Sequence, residues 1–126
     1  MQDGVVAAAL EVVLIADVRP LLDGVELDAP ESPFSPGELA YARAKRDPLR
    51  RLAARLAAKR ATARLLGAGF DVKDAEVQRD SVGPPRLALS ERARRRVAEL
   101  GAESVLVSLT HGREHAAAAV LLLLPR

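Results

Sequence analysis

The stretch LRRLAARLAAKRATARLLGAG, Leu49 to Gly69, contains no helix breaker before Gly67. Ala, Leu, Arg and Lys are all strong helix formers, so the run predicts a long helix. Leu49, Leu52 and Leu56 recur at helical spacing, with Ala53, Ala57 and Ala63 as small contacts beside them. Arg50, Arg51, Arg55, Lys59 and Arg64 are interleaved among these, which predicts one apolar side and a cationic remainder. Gly67 and Gly69 stand where a C-cap and a tight exit belong. Two readings of the cationic side stay open: a solvated surface on a core helix, or a face that meets anions.

Composition narrows the classes around that helix. With 126 residues, 49% hydrophobic and 29% charged, the chain reads as one globular domain, residues 1–126, with a single core. Net charge is only +2, yet the segment from Arg43 to Arg64 holds Arg43, Lys45, Arg46, Arg50, Arg51, Arg55, Lys59, Arg60 and Arg64 against a single acid, Asp47. Such a stripe favours an acidic or phosphorylated partner. Aromatic residues make up 2% of the chain, so no stacking platform for nucleic acid is expected. The absence of cysteine excludes disulfides, thiol catalysis and cysteine-based zinc sites. The apolar run Val5–Ala16 is too short to cross a membrane and is interrupted by Glu11. A cytoplasmic location is the expectation.

The flanking segments predict alternating short elements. Val5–Ile15 reads as a buried strand in which Glu11 needs a partner or an edge. Ala16–Gly24 suggests a short helix interrupted by Pro20, and Asp23–Gly37 a surface loop. Ser35, Pro36 and Glu38 spell a helix start with Ser35 as N-cap, running to about Lys45, and Asp47-Pro48 is read as the cap of the long helix. Phe70–Ala75 is a connector, and Glu76–Arg79 and Arg86–Leu89 form a hairpin around Gly83. Ser90 caps a helix over Glu91–Leu100, closed by Gly101, with Arg94, Arg95 and Arg96 as solvated charge. Ser104–Leu109 and Ala116–Leu124 are strands joined by a tight turn over Thr110–Glu114.

The pattern R-x-A-x-K-x-A-x-x-[KR]-x-x-G-x-G, met here from Arg55 to Gly69, resembles the holo-acyl-carrier-protein synthase family, the small trimeric phosphopantetheinyl transferases. Val107-Ser108-Leu109-Thr110-His111 is similar to that family's [VI]-S-[LI]-[ST]-H motif. The resemblance implies an α+β fold, a small antiparallel sheet packed on the long central helix. It also implies coenzyme A as substrate, an acyl carrier protein as partner, and a homotrimer with sites at subunit interfaces. Carried onto this chain, the catalytic positions are Glu11, Lys59, Arg60 and His111. Those for coenzyme A are Arg64, Gly67, Gly83, Arg86 and Ser108.

Departures from the family pattern concern charge. The family holds Mg²⁺ between a strand aspartate and the glutamate of a K-E-A triplet. Glu11 keeps the first carboxylate, but the triplet here is Lys59-Arg60-Ala61, and a guanidinium cannot ligate a cation. Asp17 stands where a basic residue docks the carrier, and Gly83-Pro84-Pro85 lacks the cation of G-[KR]-P, although Arg86 adjoins it. Ala8, Ala9 and Leu10 stand in place of the family's glycines before Glu11. A pair between Glu11 and Arg60 in place of the metal is therefore expected. The function implied is a transferase of weak or altered activity; the alternative is an inactive trimeric binding or scaffold protein.

Overall fold

The computed structural model describes residues 4–22, 32–80 and 82–125. Strand β1 (Val5–Leu14) leads through a 3₁₀ turn (Ile15–Asp17) into the short helix α1 (Val18–Leu22). Helices α2 (Pro36–Arg43) and α3 (Pro48–Leu66) follow, then a 3₁₀ turn (Val72–Asp74), β2 (Ala75–Gln78), β3 (Arg86–Leu89), α4 (Glu91–Glu99), β4 (Ser104–His111) and β5 (His115–Leu123). Strands β1, β5 and β4 form an antiparallel sheet in that order, and β2 and β3 a separate hairpin. The α+β architecture matches expectation. Residues 23–31 of the expected loop, and Ser81 in the hairpin turn, lie outside the described residues.

Helix α3 is the centre of the molecule. It packs on β1, β5 and β4, and also on α2 and β2. Eleven of its 19 residues are buried, among them Arg55 and Lys59. The expected one-sided amphipathic helix is thus corrected to one enclosed on nearly all sides. Its alanines explain how: Ala53, Ala57, Ala58 and Ala61 are fully buried, and their small side chains let a sheet and a second helix approach the backbone together. Ala61 packs with Ala9 and Val120 of the sheet, which accounts for an alanine at position 9.

Local signals acted largely as their chemistry dictates. Ser35 and Glu38 make a reciprocal capping box at α2, and Ser90 accepts from the Ala93 N–H at α4. Pro20 falls in the first turn of α1, where a missing N–H removes no helical bond. Gly67 closes α3 at φ +99°, a conformation reserved for glycine. Asp47 departs from expectation. It makes no side-chain cap, and its Oδ1 accepts instead from Arg51 Nε at 3.2 Å. Arg96 is not merely solvated, since its Nε donates to the Leu66 carbonyl at 2.9 Å and so satisfies the C-terminal end of α3. His111 lies in β4 rather than in a turn, because its pairing with Ala116 extends the ladder to the strand end.

Strand alternation sorts the sheet into two faces. Ala9, Glu11 and Val13 of β1, with Val105, Val107, Leu109 and His111 of β4, turn toward α3, whereas Leu10, Val12, Leu14, Leu106, Ser108 and Thr110 turn away. The outward face is uncovered and largely apolar: Leu10 is 61% exposed, Val12 58% and Leu106 55%.

Candidate functional site

The N-terminal half of α3 and the end of β4 together build a basic pocket. Arg51, Arg55 and Arg79 share a cavity of about 270 Å³ with His111, Thr110 and Leu109. An adjoining cavity of about 460 Å³, with Tyr41, Lys45 and Asp80 on its walls, also uses Arg51 and Arg79. Arg51 and Arg55 come together because a four-residue step keeps one helix face. Arg55 is 3% exposed, its guanidinium lies 3.9 Å from the centre of the Tyr41 ring, and its Nη1 donates to the Arg51 carbonyl at 3.3 Å. Its Nε is buried without a hydrogen-bond acceptor among the described residues. Burial pushes the pKa of Arg55 below its ordinary value, with Tyr41 opposing, yet a guanidinium remains charged at neutral pH. A buried, incompletely satisfied cation beside two further arginines has the charge and the free donor to bind an anion.

Glu11 lies elsewhere. Its Oε2 accepts from Arg64 Nη1 at 2.8 Å, while Arg64 Nη2 donates to the Leu10 carbonyl at 2.9 Å. The expected Glu11–Arg60 pair is therefore replaced by a Glu11–Arg64 pair. Arg60 is exposed and makes no ion pair among the described residues. In β5, Ala118 pairs both with Glu11 and with Leu109 of β4. Glu11 and β4 are thus two strand spacings apart, about 10 Å. One chain does not gather Glu11 and His111 into one cavity.

Lys59 occupies a third position. Its Nζ donates to Glu38 Oε1 at 2.6 Å, and the two side chains are 2% and 0% exposed. Glu38 also accepts from the Ser35 N–H at 2.8 Å and, through Oε2, from the Val77 N–H at 2.7 Å. One carboxylate thereby ties α2, α3 and β2 together. Lys59 borders a cavity of about 290 Å³ containing Phe34 and Glu76, but its ammonium is directed at Glu38.

Other expected positions are dispersed. Gly67 serves as the helix terminus, and Gly83, at φ +108°, shapes the hairpin turn. Arg86 is exposed and pairs with Asp80 at 2.7 Å. Ser108 and His111 are an odd number of residues apart in one strand, so they fall on opposite faces of the sheet. The residues missed from sequence are Arg51, Arg55 and Arg79. The first two carried a signal, because Arg51, Arg55 and Lys59 repeat every four residues along the face that holds Leu52 and Leu56. Nothing in the sequence marked Arg79.

Mg²⁺ has a poor donor set here. Hard cations take oxygen ligands, usually carboxylates. Glu11 already accepts from a guanidinium, the second carboxylate position is Arg60, and no cluster of three His, Cys, Asp or Glu side chains exists among the described residues. These residues do not fit the ion.

No family model matches the chain. Individual relatives do. The holo-[acyl-carrier-protein] synthase of Moorella thermoacetica is 43% identical over 91 residues, 70% of this chain and 71% of that protein. The one from Anaeromyxobacter sp. is 37% identical over 123 residues, 94% of this chain and 95% of its own. Among solved structures, the acyl carrier protein synthase of Mycobacterium tuberculosis superposes with a TM-score of 0.73 at 31% identity, covering 97% of this chain and 100% of that one. Sequence identity across nearly the full length and a shared fold agree, and the chain belongs to the holo-acyl-carrier-protein synthase family.

Proposed function

We propose that the chain is a phosphopantetheinyl transferase, moving the phosphopantetheine arm of coenzyme A to a serine hydroxyl of an acyl carrier protein. The observation that carries this reading is the pocket in which Arg51, Arg55, Arg79 and His111 converge, with a buried guanidinium short of an acceptor. The phosphates of coenzyme A supply that acceptor. In the reaction the serine oxygen bonds to the phosphorus bearing the pantetheine arm. The bond from that phosphorus to the bridging oxygen breaks, 3′,5′-ADP leaves with the electron pair, and the serine proton is released. Such transfer depends on positioning and on stabilising charge as it develops. The three arginines and the imidazole of His111 hold the leaving nucleotide.

The full site is read as composite, with the His111 pocket of one copy facing Glu11, Arg60 and Arg64 of the next in a homotrimer. The uncovered apolar face around Leu10, Val12 and Leu106 supports this, because a patch of that kind on a small domain favours burial between copies. The enzyme works in the cytoplasm, and the basic stretch from Arg43 to Arg50 offers an acidic carrier an alternative to the 3₁₀ turn where Asp17 reverses the family's charge. Intact mass of an apo acyl carrier protein incubated with the chain and coenzyme A tests the reading. The expected result is a phosphopantetheine adduct, lost with Arg55→Met. If neither the wild type nor Arg60→Glu forms it, the chain is a non-catalytic binding protein of this fold.

A further inference from the structure

Where β1 meets α3, the structure places the Arg64 guanidinium against the single carboxylate of Glu11, with Arg60 one turn away on the helix. We infer that Arg60 and Arg64 take the part of the divalent cation and bind the coenzyme A pyrophosphate without metal, with Glu11 a positioning residue for Arg64. This rests on the transferase reading above.

Three observations carry it. Arg64 is held at two points, by Glu11 Oε2 and by the Leu10 carbonyl. Two of its five N–H donors are thereby used, which leaves three for phosphate oxygens. Arg60 lies one helical turn earlier on the same side of α3, exposed and without an ion pair among the described residues. Charge balance is the third. A dication between two carboxylates beside one basic side chain carries a net charge of about +1, and Glu11 with Arg60 and Arg64 carries the same. Exchanging a carboxylate for a guanidinium adds the two positive charges that the ion would otherwise bring. A planar guanidinium also meets phosphate oxygens in pairs, so orientation is retained along with charge.

Isothermal titration of the full chain with coenzyme A, in EDTA and in excess Mg²⁺, tests this. The wild type should bind equally in both, within about twofold, and Mn²⁺ titrated alone should give no saturable signal in electron paramagnetic resonance. Arg60→Gln, at an exposed position, should weaken coenzyme A about tenfold, the loss of a charged hydrogen bond. Glu11→Gln still accepts from Arg64 and should hold affinity within about threefold. Arg60→Glu should bind poorly in EDTA and recover in Mg²⁺. A wild type that loses tenfold or more in EDTA overturns the inference alone, as does an Arg60→Gln variant that binds unchanged. No coenzyme A binding in either condition removes the transferase reading as well.

Discussion

Replacing Lys59 with Met tests whether this lysine holds the fold together or acts in the reaction. Met keeps the length and apolar stem but removes the ammonium that sits 2.6 Å from Glu38. The carboxylate would keep its two backbone donors, Ser35 and Val77, and lose the ammonium bonded to it in a pair whose side chains are 2% and 0% exposed. Breaking a buried pair from one side destabilises by about 3–5 kcal/mol. With an unfolding entropy of about 2.1 cal/mol/K per residue, that lowers the melting temperature by roughly 11–19 °C for a chain of 126 residues. Urea unfolding followed by circular dichroism reads the free energy directly. Adding Glu38→Gln removes the stranded charge, although its amide then faces one of the two N–H donors. The double variant should therefore recover about 1 kcal/mol or more relative to the sum of the single changes. A loss below about 1 kcal/mol for Lys59→Met, or strict additivity, would refute the structural role. So would a variant of unchanged stability that had lost all transfer, since that outcome describes a reacting group.

Other residues give independent tests. At Asp74, burial opposes ionisation, but bonds from Arg92, the Asp71 N–H and Ser90 outweigh it and hold the carboxyl below its usual 3.8. A folded value lower than the unfolded one contributes stability that is present above about pH 4 and lost as the pH falls further. The urea midpoint of the wild type should thus fall more steeply below pH 4 than that of Asp74→Asn. Gly67→Ala puts a side chain at φ +99° and should destabilise by roughly 1–3 kcal/mol in thermal melts; an unchanged melt would mean that the α3 terminus relaxes freely. Arg96→Ala frees the Leu66 carbonyl at the end of α3 and should lose about 1 kcal/mol by urea titration.

Local rules made much of the fold legible in the sequence. Ser35 with Glu38, Ser90, Gly67 and Gly101 mark helix ends because capping chemistry acts within a few residues. The 3.6-residue period exposed α3, strand alternation exposed β4, and an apolar run exposed β5. Wording alone also revealed the family, since a helix motif and a strand motif are short enough to be met in one pass. Which charge meets which was not legible, because an ion pair is decided by where elements cross. Lys59 reaches Glu38 across 21 positions, and Arg64 reaches Glu11 across 53. No periodicity encodes such distances. The sequence alone determined the main helices and strands, several of their caps and the arginine at position 60. Only tertiary packing decided that α3 is enclosed, that Lys59 is bound to Glu38, that Ser108 faces away from His111, and that Arg55 is buried beside Arg51, Arg79 and His111 in one pocket.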